Sequence, residues 1–125
     1  MLSAEPHILG DRAAVVTKAV LRAAELLGLS ARRLAAVIGA SEPTVSRMKA
    51  GAYQLDPRGK SYELAVLLIR VFRSLDAIAG GDETVIRQWM TSDNTALGGK
   101  PVERLGSIAG LMDVLAYLDA RRALV

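Results

Sequence analysis

Apolar residues recur at helical spacing along most of the chain, and no sustained period-two alternation marks a strand. Over residues 11–27 the apolar positions are Ala14, Val15, Val20, Leu21, Ala24 and Leu27, with Arg12, Lys18, Arg22 and Glu25 between them. Asp11 suits the N-cap of this helix and Gly28 its stop. Ser30 caps a second helix from Ala31 to Val37 or Ile38, striped by Leu34, Ala35 and Ile38 and broken at Gly39. Ser41 or Glu42 opens a third, with Pro43 in its first turn, and Gly51 lies just past its end. After a loop over residues 53–59, a long helix is expected over 61–79, carrying Leu64, Leu67, Leu68, Val71, Phe72, Leu75 and Ile78. Gly80-Gly81 ends it, and Asp82 caps a helix bearing Val85, Ile86 and Trp89. Pro101 opens a short helical turn over 102–105. Ser107 then caps a last helix whose buried face is expected to be Ile108, Leu111, Met112, Leu115 and Leu118. Residues 1–10 hold Pro6 and Gly10 and show no period, which suggests a loose tail. The fold class is all-α.

The second and third helices, joined through Gly39, have the spacing of a helix-turn-helix. Ala35 is small where the two helices must approach, and Leu34, Ile38, Val45 and Met48 supply their shared core. That geometry puts the outward residues of the third helix in a DNA major groove. Glu42, Pro43, Thr44 and Arg47 then point toward base edges, with Arg47 suited to a bidentate guanine contact, while Ser46 and Lys49 fit phosphates. The plain alternative is a helical hairpin with a solvated Arg and Lys.

The long helix is apolar on more than one side, since Val66 and Ile69 lie off the main stripe. Such a helix is either central to the core or half of a subunit interface, and a homodimer contact is the expectation. The chain divides into a tail (1–10), a helix-turn-helix unit (11–58) and a helical dimerisation and partner-binding module (59–125).

Composition narrows the picture. With 125 residues, 51% of them hydrophobic, a single domain can bury a sizeable core without staples. The absence of cysteine excludes disulfides and thiolate chemistry. The N-terminus lacks the basic and apolar regions of a signal peptide. The longest apolar run, residues 64–69, is far short of the roughly 18 residues of a membrane span, so a soluble, cytoplasmic protein without membrane attachment is expected. Residues 1–62 carry nine Lys or Arg against five Asp or Glu, and residues 63–125 seven against eight, so the net charge of +3 sits in the N-terminal half. A basic N-terminal half agrees with DNA binding there without establishing it.

Enzymatic chemistry has little to stand on, and neither a catalytic residue, a metal site nor a cofactor is expected. His7, the single histidine, falls in the tail. The pair Asp82-Glu83 is explained by capping and the helix dipole. Gly98-Gly99-Lys100 lacks the upstream glycine, the downstream hydroxyl and the leading strand of a phosphate loop.

One polar, turn-rich stretch interrupts the helical pattern, and the only tryptophan stands at its mouth. Loops of this length in compact domains are more often functional than ornamental, although Trp89 also reads as a core residue and Asn94 as a turn former. Its pattern is Trp89, four residues, Asn94, two residues, Leu97-Gly98-Gly99, one residue, Pro101. Together with the helix-turn-helix upstream and the helix running to Val125, it resembles the Xre/MbcA/ParS toxin-binding antitoxin family. Asp93 stands where many members carry proline.

The resemblance implies the antitoxin half of a type II toxin–antitoxin pair. Its partner would be a RES-domain toxin that consumes NAD or transfers its ADP-ribose, and its helix-turn-helix would repress its own operon at operator DNA. It implies a toxin-binding surface including Trp89, Asn94, Leu97, Gly98, Gly99 and Pro101, and a C-terminal end that obstructs the toxin's NAD pocket through Leu118, Arg121, Arg122, Leu124 and Val125. A C-terminal carboxylate can mimic a phosphate there; the plain alternative is a frayed terminus whose arginines complement the helix dipole. The assembly would be a homodimer or a toxin–antitoxin hetero-oligomer. The rival from another class is a stand-alone dimeric repressor without a toxin.

Overall fold

The computed structural model describes residues 4–124, with side chains described from Gly10 to Leu124. These residues form seven α-helices and one 3-10 turn: α1 Ala4–Leu27, α2 Ala31–Ile38, α3 Glu42–Lys49, α4 Lys60–Ala79, α5 Glu83–Thr91, the 3-10 turn Thr95–Leu97, α6 Pro101–Arg104 and α7 Ile108–Arg122. Short side chains fix most of the starts, because each can accept from an otherwise unpaired N–H of a first turn. Ser30 Oγ accepts from Arg33 N at 3.1 Å and Ser41 Oγ from Thr44 N at 3.2 Å. Asp82 Oδ1 accepts from Thr84 N at 2.9 Å, and Ser107 Oγ from Gly110 N at 3.1 Å. Gly39 closes α2 at φ 67°, a left-handed conformation that a side chain would disfavour.

Helix α1 departs from the sequence reading at its start. The segment expected to be a loose tail is helical from Ala4. Pro6 is no obstacle there, because a first-turn proline lacks an N–H that has no helical acceptor anyway. Residues 1–3 and the side chain of His7 lie outside the described residues.

Helix α4 is the axis of the molecule. It packs against α1 and α7 along its length and against α2 and α5 over shorter contacts. Ala65, Leu68, Ile69, Val71, Ser74 and Leu75 are buried on it. Its second apolar side, read as a subunit contact, is largely taken up inside the chain: Ile69 is covered and Val66 half-buried. The helix-turn-helix and the C-terminal helices therefore share one core. Two hydrogen bonds tie them further, Arg33 Nη1 to Val102 O at 3.5 Å and Arg87 Nη2 to Glu25 O at 3.2 Å.

Three residues that the periodicity places on buried faces are exposed: Val15 at 66%, Ile108 at 67% and Met112 at 44%. The buried line of α1 is instead Ala13, Thr17, Val20, Ala24 and Leu27. Thr17 tolerates burial because its Oγ1 accepts from Leu55 N at 2.9 Å, anchoring the segment after α3. In α7 the core line is Leu111, Val114, Leu115 and Leu118. In the connection to α4, Asp56 accepts from the backbone N–H of Arg58 and then from its side chain, and both hold the carboxyl below its ordinary value. No helix among the described residues is long and apolar enough to cross a membrane.

Candidate functional site

Two surfaces carry the residues singled out by the sequence. On the first, α3 buries Val45 and Met48 against α2 and leaves Glu42, Pro43, Ser46, Arg47 and Lys49 exposed, with Thr44 half-buried. A short relay orders this face. Ser41 Oγ and Thr44 Oγ1 lie 2.9 Å apart, and Thr44 Oγ1 accepts from Arg47 Nη2 at 3.1 Å. The Arg47 side chain is thus steered by its own helix, which lowers the ordering cost of a base contact.

The second surface is built around the loop between α5 and α6. Helix α5 runs two residues past Trp89, and Ser92 then leaves the helix in extended backbone. Asn94 organises the loop beyond that point. Its Oδ1 accepts from Leu97 N at 3.2 Å, capping the 3-10 turn. Its backbone exchanges two hydrogen bonds with Gly99, Asn94 N to Gly99 O at 3.0 Å and Gly99 N to Asn94 O at 3.1 Å. The chain returns on itself within this loop because Gly98 adopts φ 71° and Gly99 φ 153°, both costly for other residues. Asn94→Ala is expected to lower stability by about 1 kcal/mol, the usual cost of losing such a cap. A denaturant midpoint identical to that of the parent would remove Asn94 from this role.

The motif residues therefore divide by job. Leu97 and Pro101 are buried and plug the loop into the core. Asn94 and the two glycines shape it. Trp89 is half-buried and stacks on Tyr117 of α7, with ring centroids 6.1 Å apart and planes 26° from parallel. Tyr117 in turn carries Arg121: the guanidinium Cζ lies 5.4 Å from the ring centroid, and Nη1 donates to Tyr117 Oη at 3.2 Å. Sequence reasoning counted Tyr117 in the C-terminal end but did not pair it with Trp89. The signal for its link to Arg121 was a position four residues before it, on the same flank of one helix.

The end of α7 is fixed to α4 by a polar cluster. Buried Ser74 donates to Asp119 Oδ1 at 2.7 Å, Arg70 Nη2 reaches Asp119 Oδ2 at 3.4 Å, and Arg122 Nη1 donates to Ser74 Oγ at 3.5 Å. Of the other C-terminal residues expected to contact a partner, Leu118 is buried, Arg121 and Arg122 are exposed, and Leu124 is 85% exposed. Val125 lies outside the described residues. Open grooves of about 540 Å³ (between Gly28 and Arg87) and about 560 Å³ (beside Arg32 and Arg33) include neither Trp89 nor Tyr117.

The fold and these surfaces define a helix-turn-helix protein with a second, aromatic-braced face. Residues 6–70 match the antitoxin Xre-like helix-turn-helix domain, and residues 74–123 match the antitoxin Xre/MbcA/ParS C-terminal toxin-binding domain. The chain belongs to the Xre/MbcA/ParS antitoxin family, and its role is that of an antitoxin with a toxin and DNA as partners. No curated protein matches the sequence significantly. The two matched regions meet within α4, the helix that both halves of the core share.

Proposed function

We propose that the chain neutralises a RES-domain toxin, one that consumes NAD or transfers its ADP-ribose, and that it represses its own operon through α3. The observation that carries this reading is the pairing of an antitoxin helix-turn-helix with a toxin-binding domain along one chain. The resemblance of the Trp89, Asn94, Leu97-Gly98-Gly99, Pro101 pattern to antitoxins of RES-domain toxins supplies the toxin class. Helix α5 braces the last helix through the Trp89–Tyr117 stack, and the exposed end of that helix is what reaches the toxin. Toxin and antitoxin then co-assemble as a hetero-oligomer in the cytoplasm.

Co-expression with the RES-domain product of the adjacent gene tests this. A co-eluting complex that spares NAD, when the partner alone depletes it, is the expected result. Absence of a complex, with specific binding to the chain's own promoter, would leave a stand-alone repressor.

The DNA half has its own test. Arg47→Ala is expected to weaken operator binding by about 1–3 kcal/mol while toxin binding is spared. A gel shift unaltered at physiological salt would take Arg47 out of the interface.

A further inference from the structure

We propose that the toxin is gripped by a ladder of Trp89, Tyr117, Arg121 and Leu124, and that the toxin segment seated on it is acidic and apolar. A carboxylate would meet the Arg121 guanidinium, and an apolar side chain would lie between Leu124 and the Tyr117 ring. This rests on the antitoxin reading and adds to it the residues that carry binding and the chemistry they select.

The argument begins with one flank of α7. Gly110, Asp113, Tyr117 and Arg121 share it, at intervals of three and four residues. Its first part is used up inside the protein. Gly110 lies against the Arg104 backbone, Asp113 pairs with Arg104 Nη2 at 2.8 Å, and Tyr117 stacks on Trp89. The last turn has no such cover, so Arg121 and then Leu124 emerge where the support of α5 and α6 ends.

Arg70 and Arg104 each pair with a carboxylate, whereas no ion pair among the described residues engages Arg121 or Arg122, and of these two it is Arg121 that an aromatic ring holds in place. Its charge is unneutralised while its position is set by the Tyr117 hydroxyl and ring. A long side chain ordered before binding loses less entropy when a partner arrives. Tryptophan, tyrosine and arginine are also the types that dominate binding hot spots. At the adjacent edge of α7, Arg70 and Arg122 outnumber Asp119 two to one. An acidic segment of the toxin complements this excess of positive charge.

The test uses the full chain and the RES-domain protein from its adjacent gene, with affinity measured by titration at about 50 and about 300 mM salt, on either side of strong screening. Arg121→Gln is expected to weaken the complex about thirty-fold, the threshold of a hot spot, and to flatten its salt dependence. Arg121→Glu should weaken it further, and Tyr117→Leu should weaken it by about tenfold or more. Arg121 is exposed, so its variants should melt with the parent, and they decide the matter even if the tyrosine variant unfolds. Parent-like affinity in Arg121→Glu, or an unchanged salt slope in Arg121→Gln, overturns the ladder while leaving the antitoxin reading intact. Failure of the unaltered chain to bind overturns both.

Discussion

Gly110→Ala is expected to cost about 3 kcal/mol of stability, a fall in melting temperature of roughly 10 °C for a domain of this size. Gly110 is buried near the start of α7, where α6 crosses it. A Cβ there would land on the Arg104 carbonyl, well inside contact distance of both its oxygen and its carbon. The obstacle is backbone, so no rotamer change relieves it, and α6 or the first turn of α7 must move. Either shift breaks the Ser107 cap on Gly110 N and the Arg104–Asp113 pair. The pair is substantially exposed and adds little by itself, so the cost is chiefly steric. Because α6 continues from the Asn94–Gly99 loop, toxin binding should fall along with stability. The helix-turn-helix meets α6 through the 3.5 Å contact of Arg33 on α2 with Val102 O, not through α3, and operator binding should persist below the new melting point. A melting temperature within about 2 °C of the parent would mean that the two helices are free to separate there.

What the sequence made legible was the local physics. Ser30, Ser41, Asp82 and Ser107 cap the helices they precede, because a cap is decided within a few residues. Leu34, Ile38, Val45 and Met48 are all buried, since two short helices joined by a tight turn have few ways to share an apolar face. Where the reading failed, a distant residue decided the outcome. Thr17 takes a buried place that periodicity gave to a more apolar neighbour, and it can do so because Leu55 supplies its hydrogen bond. Met112 and Val114 are comparably apolar, and only the direction from which α4 approaches α7 selects Val114. The loop motif was visible as a pattern, but its division of labour was not. Leu97 and Pro101 serve the core, and Trp89 acts through Tyr117, a residue outside the motif.

Deleting residues 121–125 should abolish neutralisation while leaving the fold nearly unchanged. The structural loss is small. The deleted segment contributes no buried side chain among its described residues, and its firmest ties are Arg121 to Tyr117 Oη and the 3.5 Å contact of Arg122 with Ser74. Leu118 remains to fill the core, and Asp119 keeps its bond to Ser74. Two arginines at a helix C-terminus add about 1–2 kcal/mol at most through the dipole, which a domain of this size tolerates. The functional loss is large, because the same residues include the Arg121 guanidinium, which no carboxylate among the described residues pairs, and the most exposed leucine of the toxin-binding half. The truncated chain should therefore melt within a few degrees of the parent and shift its operator normally. Co-expressed with the toxin, it should leave cells unprotected and their NAD depleted. Full protection by the truncated chain would move the binding surface off the end of α7 and onto the exposed loop residues Thr95, Ala96 and Lys100, which would then be the next to replace.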